Sequence, residues 1–345
     1  MESENYVAAV ERLLRSRLEL VVRHRPIIRV LCDAMSEAGF ALELIVEIKT
    51  IADEKLMEIT AQYANDRKLV DMTNVGPPWQ TKSIDDGLAL VDDRLNECVV
   101  LCQNCVLYNR FFDGEMLSLD ADYKRHVRTN QSIAQRVQEF AVHYVLLEQQ
   151  YLENAIRRAI KRDKRPTTAV KQPDEVAEPT TEEAEPVVDE DAPVDAAAAQ
   201  ASTKCSSMVE QVFLLLRKSC VRALSMYNGT AVSMLLHHVT AELLAREGDY
   251  RKEMDKRWRR CNDDLEDMIL CLNNMATSGL YTSKLKDEIM NEAERLEQGE
   301  REQIQHLIGE LENLSDSWVQ EVRLRVLGAD GPGPPGAVTR PSRSP

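Results

Sequence analysis

Three closely spaced cysteines are the residues with the clearest potential for chemistry. Cys98, Cys102 and Cys105 form a C-x3-C-x2-C run, and with His126 or His143 as a fourth ligand they would supply the donor types of a tetrahedral zinc site. The same spacing of four and three residues places the thiols on one face of a helix. Because the neighbouring residues are apolar and a free cysteine packs as a small hydrophobe, we favour core packing over metal binding. We therefore predict no metal ligand and no cofactor.

No other pattern predicts catalysis. His237 and His238 are adjacent, so they face different directions on a helix and cannot act as an i, i+4 metal pair. No segment resembles a zinc-protease, nucleophile-elbow, Walker or dinucleotide-binding motif. With 58 carboxylates in the chain, acidic pairs arise by chance throughout. The sequence predicts no catalytic residue, no small-molecule substrate and a protein that is not an enzyme.

Two basic runs remain as candidate binding patches, Arg157 to Arg165 and Arg251 to Arg260. One interpretation is contact with anionic lipid or an acidic partner. The alternative for the first run is charge that complements the dipole at a helix C-terminus and offsets an acidic segment next to it. In the second run, Glu253 and Asp255 favour ordinary intrahelical ion pairs around Trp258. We favour the structural interpretation of both runs.

Composition limits the class of protein and its compartment. The 345 residues carry a net charge of −15, which argues against binding to a nucleic-acid backbone. The eight cysteines are spread through helical patterns, as in a protein from a reducing compartment. The N-terminal sequence MESENYVAAVERLL has no signal-peptide pattern, and no apolar run is long enough to cross a bilayer. We expect a location in the cytosol or on the cytosolic face of a membrane.

An acidic segment divides the chain. Residues 172–203 contain no Lys or Arg, and ten carboxylates occur from Asp174 to Asp195 among recurring prolines. Such a composition cannot bury enough apolar surface to offset its ordering entropy. We predict a helical segment at 1–163, a disordered acidic linker at 164–204, a helical segment at 205–327 that packs with the first, and a disordered Gly/Pro-rich tail at 328–345. Residues 172–203 carry ten of the fifteen net negative charges, so the rest of the chain has a net charge of only about −5.

Helical periodicity dominates the rest of the sequence. One narrow stripe runs from Ile133 to Tyr151, and another runs from Ile304 to Val322; both are candidates for helix packing, within the chain or against neighbouring subunits. Breakers at 76–78 and at Asp113–Gly114 predict helix ends, with a loop from Asp113 to Thr129. We predict about seven helices and no strand. The fold class is all-α, with stacked antiparallel helices that form an elongated helical-bundle rod.

Two stretches resemble one family. Gln135 to Asp163 is similar to a helix that precedes a variable linker in subunit 4 of the conserved oligomeric Golgi complex; the matching positions are Val142, Tyr144, Leu147, Glu148, Tyr151, Ala159 and Ile160. Ser206 to Leu224, SSMVEQVFLLLRKSCVRAL, is the more specific match. The segments Leu107 to Phe112 and Phe40 to Asp71 fall in the expected order. The resemblance covers roughly Phe40 to Leu244.

The resemblance implies a vesicle-tethering subunit on the cytosolic face of the Golgi that acts in retrograde intra-Golgi transport and Golgi organisation. Its implied partners are the other subunits of the complex and the SNARE machinery, and its membrane association is peripheral and occurs through those partners. The family's N-terminal coiled-coil region and C-terminal bundle have no clear counterparts here, so we expect a fragment, an incomplete gene model or a shortened variant. The alternative function is a helical cytoskeletal or signalling scaffold. It predicts a long parallel coiled coil, which the short stripes argue against.

Overall fold

The structure is a computed structural model that describes residues 5–35, 38–74, 84–119, 132–163, 205–244, 248–261 and 264–327. These residues form ten α-helices: α1 (Tyr6–Met35), α2 (Ala38–Asp66), α3 (Leu69–Asn74), α4 (Ile84–Leu119), α5 (Ser132–Arg162), α6 (Ser207–Ser225), α7 (Gly229–Leu244), α8 (Asp249–Arg260), α9 (Leu265–Ala293) and α10 (Gln298–Leu327). No strand occurs within these ranges, and the all-α class is confirmed. The predicted acidic linker and tail lie outside the described residues.

The helices before residue 164 pack through aromatic and apolar seams. The ring of Tyr63 on α2 contacts Tyr6 of α1 and Phe140 of α5 edge to face, with centroids 5.7 and 5.9 Å apart. Because Tyr6 begins α1 and Tyr63 lies near the end of α2, these two helices are antiparallel. Helices α4 and α5 are also antiparallel, since Asp85 near the start of α4 pairs with Arg158 near the end of α5 at 2.6 Å.

The helices after residue 204 extend the same core. Helices α9 and α10 form an antiparallel pair, in which Ser315 Oγ donates to the carbonyl oxygen of Gly279 at 2.9 Å. Helix α6 packs on both α5 and α9. One contiguous cluster of buried apolar residues includes members from both sides of residues 164–204. The chain on the two sides of the acidic segment therefore contributes to a single core.

Both predicted stripes are buried inside this core. The six residues of the first stripe are all buried: Ile133, Val137, Phe140, Tyr144, Leu147 and Tyr151. In the second stripe, Ile304, Leu307, Leu311, Leu314 and Trp318 are buried, and Val322 is partly buried against the cluster. Their packing partners are helices of the same chain, mainly α4 for the first stripe and α9 for the second. Of the two alternatives left open by the sequence, the structure supports packing within the chain.

Two predictions about helix boundaries are wrong. Asp113 and Gly114 do not end a helix, because α4 continues to Leu119. A glycine inside a helix costs about 1 kcal/mol, and the complete burial of Phe112 and Met116 on either side outweighs that cost. The predicted loop is therefore wrong for residues 113–119, and its remainder lies outside the described residues.

The estimate of seven helices is also wrong, because the described residues contain ten. Two of the additional breaks occur at Lys68 and Tyr227, whose φ angles are 51° and 52°. Sequence rules assign this left-handed conformation to Gly or Asn, so neither residue indicates a break by its own type. The Asn228–Gly229 pair directly after Tyr227 is nevertheless a turn signal. None of the described helices has the combination of length and hydropathy that a membrane span requires.

Candidate interaction surfaces

The cysteine run lies in the core. Cys98, Cys102 and Cys105 are buried on the inner face of α4, and all seven cysteines whose side chains are described are free thiols. The hydrogen bond with Cys98, together with burial, raises the pKa of Cys102 well above its ordinary value. Burial raises the pKa of Cys105 to about 12. Thiols that resist ionisation are poor ligands and nucleophiles, so Cys102 and Cys105 have the properties of core hydrophobes.

The histidines considered as zinc ligands have other environments. Nδ1 of His143 lies 3.3 Å from the hydroxyl oxygen of Thr73, and His126 lies outside the described residues. Across the part of the chain that the structure describes, no three His, Cys, Asp or Glu side chains are arranged to hold a metal ion.

The basic runs are used mainly for ion pairs within the chain. Arg158 and Arg162 both pair with Asp85 of α4 at 2.6 Å, and Arg157 pairs with Asp249 at 2.5 Å. In the second run, Arg257 and Lys256 pair with Glu253 of their own helix at 3.0 and 3.1 Å, as predicted. Two other residues of this run pair with α10: Arg251 pairs with Glu321, and Asp255 pairs with Arg325.

A buried ionic cluster joins the two family-like segments. Nη2 of Arg222 on α6 donates to Oε1 of Glu148 on α5 at 2.5 Å, and its Nη1 donates to Asp92 on α4 at 2.8 Å. Ser219 also donates to Glu148 at 2.5 Å. The Glu148 side chain is 0% exposed and that of Arg222 is 5% exposed. The cluster, called the Glu148–Arg222 cluster below, was missed by sequence reasoning, although both residues lie in segments that carry the family resemblance.

The charges in this cluster are mutually stabilised. Burial raises the pKa of Asp92, but hydrogen bonds from Lys218 and Arg222 outweigh this effect, so the pKa lies below its ordinary value. Burial likewise lowers the pKa of Arg222, but the nearby Glu148 carboxylate raises it by more. Asp92 and Arg222 therefore remain charged near neutral pH, and the contacts of the cluster join α4, α5 and α6.

Asp163 links the chain on either side of the acidic segment. One oxygen of its carboxylate accepts hydrogen bonds from the hydroxyl of Ser207 and the backbone N–H of Met208, both at 2.9 Å. Its other oxygen accepts from Arg257. A carboxylate at a helix N-terminus satisfies free N–H groups and complements the helix dipole. Because Asp163 directly precedes residue 164 and α6 begins at Ser207, the segment leaves and rejoins the fold at one place.

Two of the grooves on the surface of the described residues are lined by long helices. The first has a volume of about 400 Å³ between α4, α5 and α6, and the Asp85–Arg158 and Asp85–Arg162 ion pairs lie along its wall. The second has a volume of about 640 Å³ between α1 and α4 and is lined by apolar Leu14, Leu18, Val22 and Leu107. This second cavity is called the α1–α4 groove. Its apolar walls and size suit a protein side-chain surface better than a polar ligand.

The sequence pattern indicates which residues of the α1–α4 groove are apolar, but it does not indicate that they line a groove. Leu14 and Leu18 are apolar residues four positions apart, as on one face of a helix, and Leu107 lies in a segment that carries the family resemblance. Leu14 is buried, whereas Val22 and Leu107 are 51% and 45% exposed. Helical spacing does not reveal which members of an apolar row point into a surface groove, because that depends on where the neighbouring helix lies.

We expect the protein to lose stability as the pH falls below about 6.5. Burial lowers the pKa of His143 and His238 from their ordinary value of 6.5. The unfolded chain therefore takes up these protons at a higher pH than the folded chain, and the stabilisation present above pH 6.5 is lost as the pH falls through it. The pKa values of Asp92 and Glu253 are also lowered, and their contribution is lost at lower pH, as carboxylates protonate.

Urea unfolding followed by circular dichroism at several pH values between about 7.5 and 5.5 tests the histidine contribution. The variant His143→Gln/His238→Gln should show a smaller decrease in unfolding free energy across this range than the unmodified chain. The exposed His306 provides a matched control, because His306→Gln should leave the slope unchanged. Equal slopes for all three proteins would contradict the assignment.

Comparison with known proteins identifies one family. The family model described as COG4 transport protein, middle alpha-helical bundle, matches residues 79–257, slightly more than half of the chain. The match includes α4 to α7 and most of α8, and with them the Glu148–Arg222 cluster. It also spans Gln135 to Asp163 and Ser206 to Leu224, the two stretches that carry the resemblance in the sequence. No curated protein and no solved structure matches the chain.

Proposed function

Because the chain belongs to the COG4 transport protein family, whose members are subunits of a Golgi transport complex, we propose that it is a subunit of a multisubunit vesicle-tethering complex. Its proposed roles are retrograde intra-Golgi transport and Golgi organisation. The match over residues 79–257 carries this proposal. The chain would lie on the cytosolic face of Golgi membranes, attached peripherally through the other subunits, and would cooperate with the SNARE machinery.

Protein–protein contact, without catalysis, is the mode of action that the residues favour. The cysteines with the clearest potential for chemistry are buried thiols, and the arginine runs form ion pairs between helices. Long helices fixed by a common core give a surface of stable shape on which partner helices can pack. A tethering subunit needs this property, because it must hold other proteins at defined positions.

Affinity purification of the tagged chain from cells, followed by mass spectrometry, tests the proposal. We expect recovery of the other subunits of the Golgi transport complex. The variant Leu95→Asp, which places a charge at a fully buried position of α4, should lose them because it disrupts the family-matched bundle. The matched control Leu280→Asp changes a residue of α9 that is 54% exposed and should retain them.

The comparison requires equal amounts of each tagged chain at normal expression. Clean recovery of the chain without any of these subunits would contradict the proposal. Recovery of cytoskeletal or signalling proteins in their place would favour the scaffold alternative.

A further inference from the structure

We propose that the α1–α4 groove binds an amphipathic α-helix of a neighbouring subunit, with an apolar stripe that enters the groove and an acidic flank that meets the arginines of α1. The inference rests on the proposed function, because it specifies the partner chemistry of one surface of a complex subunit. The groove is formed partly by α1, which lies outside the region that the family model matches.

The walls of the groove are two helices that run in the same direction. Leu14 and Leu18 face Leu107 and Tyr108 across it, and further along both helices Nε of Arg25 donates to Glu115 at 3.0 Å. Residue numbers on α1 and α4 therefore increase in the same direction along the groove, so the two helices are parallel. The α1 wall extends from Glu11 to Arg23, which corresponds to a rise of about 18 Å, or roughly three helical turns. A partner helix of ordinary length fits this distance.

The apolar residues of the wall have helical spacing. Leu14, Leu18 and Val22 follow one another at intervals of four and form a ridge along α1. Leu14 is buried at the inner end, whereas Val22 remains 51% exposed, and Leu107 on the opposite wall is 45% exposed. A ridge of this kind accepts the side chains of a second helix at i, i+3 or i+4 and i+7. Packing would remove the exposed apolar surface from water.

One polar group in the wall lacks a partner. The amide nitrogen Nδ2 of Asn104 is buried and has no hydrogen-bond acceptor among the described residues. A buried donor without an acceptor is unfavourable. Because this nitrogen has almost no accessible surface, a partner reaches it only when the Asn104 side chain rotates towards the groove. A carboxylate or amide oxygen of an incoming helix would then accept the hydrogen bond, so the group favours a partner with acidic or amide side chains beside its apolar stripe.

Charges at the rim favour an acidic partner. Glu11, Arg15, Glu19 and Arg23 alternate along the edge of α1, and the exposed Arg12 adds a third arginine to this stretch. Within this row, the ion pair between Glu19 and Arg23 is long at 3.8 Å, and both side chains are exposed. Arginines held this loosely are available to carboxylates of a partner, which would set the register of the bound helix.

A bilayer and a second copy of the chain fit less well. A membrane surface cannot enter a concave groove between two helices, and lipid-binding helices have a basic face that projects outward. A second copy would bring another arginine-rich α1 to the rim, so that arginines would face arginines. A helix with an acidic flank has neither disadvantage.

Site-specific photo-crosslinking in the purified complex tests the inference. A photoreactive amino acid at position 22 or 107 should crosslink to a peptide of another subunit that has apolar residues at helical spacing and an acidic flank. The same label at Leu214, which is 63% exposed on α6, should not give this product. A crosslink only to the same chain, to a second copy, or to lipid would overturn the inference.

Variants that change the charge of the groove test the inference, because each one should change recovery of the crosslinked subunit in a predicted direction. Val22→Asp/Leu107→Asp should reduce recovery of the crosslinked subunit by about tenfold or more, because two charges would enter an apolar contact. Arg15→Glu/Arg23→Glu should reduce it by about three- to tenfold, whereas Glu11→Arg/Glu19→Arg should leave it unchanged or increase it. Circular dichroism should show that all the variants are folded.

These outcomes separate the inference from the proposed function. If every variant recovers the complex as the unmodified chain does and no specific crosslink forms, the groove proposal is wrong while membership of the complex stands. If the unmodified chain recovers no complex subunit, the proposed function itself fails.

Discussion

Replacing Glu148 with alanine is expected to lower the free energy of unfolding by about 3–5 kcal/mol. The substitution leaves the buried guanidinium of Arg222 without its closest carboxylate and leaves Ser219 without its acceptor. A buried charge that loses its partner retains the full cost of desolvation. The Arg222→Met variant should have an effect of similar size, because it leaves the Glu148 carboxylate uncompensated in the core. Urea unfolding followed by circular dichroism measures both values.

The double variant is the stronger test. Glu148→Ala/Arg222→Met removes both charges, and we expect it to cost much less than the sum of the single changes. Arg217→Met is the matched control on α6, because Arg217 pairs with Glu288 while its side chain remains 60% exposed. Exposed pairs contribute about 1 kcal/mol or less. Additive costs for the two buried changes would show that the pair is not coupled.

The same cycle tests the domain organisation. We propose that residues 1–163 and 205–327 form one folded unit, with the acidic segment as an insertion within it. Glu148 lies before this segment and Arg222 lies after it, so a coupling energy between them means that the two parts unfold together. A single transition seen by circular dichroism and by tryptophan fluorescence would support one unit. Two separate transitions would contradict it.

The helical periodicity predicted which side of each helix would be buried, but it did not predict which other helix would cover that side. The stripes from Ile133 to Tyr151 and from Ile304 to Trp318 are buried as their spacing indicates, because a row of apolar residues on one side of a helix must be covered. The partner of each stripe depends on long-range contacts. Asp92 and Arg222 are 130 residues apart in the chain, and no local pattern connects them.

The cysteine run illustrates the limit of spacing as evidence. Cys98, Cys102 and Cys105 had both the donor type of a metal site and the spacing of a buried helix face, and only the surrounding apolar residues favoured the second interpretation. The breaks at Lys68 and Tyr227 were missed for a different reason. Neither residue is of a type that prefers the left-handed conformation that it adopts, although the Asn228–Gly229 pair directly after Tyr227 is a turn signal.

Among changes that remove apolar volume, Trp318→Ala is expected to have one of the largest effects, with a loss of about 3–5 kcal/mol in unfolding free energy. Trp318 of α10 is 0% exposed, and its ring contacts the edge of Tyr250 with centroids 6.3 Å apart. The guanidinium of Arg251 lies 4.2 Å from the ring centroid. Gly279 of α9 allows Trp318 to pack closely, because a Cβ atom at position 279 would lie only 3.2 Å from the Cβ of Trp318.

Trp318→Phe separates packing from the polar part of the side chain. The indole N–H of Trp318 is buried and has no hydrogen-bond acceptor among the described residues, so phenylalanine removes an unsatisfied donor while it keeps a ring under Arg251. We therefore expect Trp318→Phe to cost less than about 2 kcal/mol. Val319→Ala, at the next and 41% exposed position, is the control and should cost less than about 1 kcal/mol. If phenylalanine were as destabilising as alanine, the contribution of Trp318 would come from its N–H group, and the packing argument for the α9–α10 pair would be wrong.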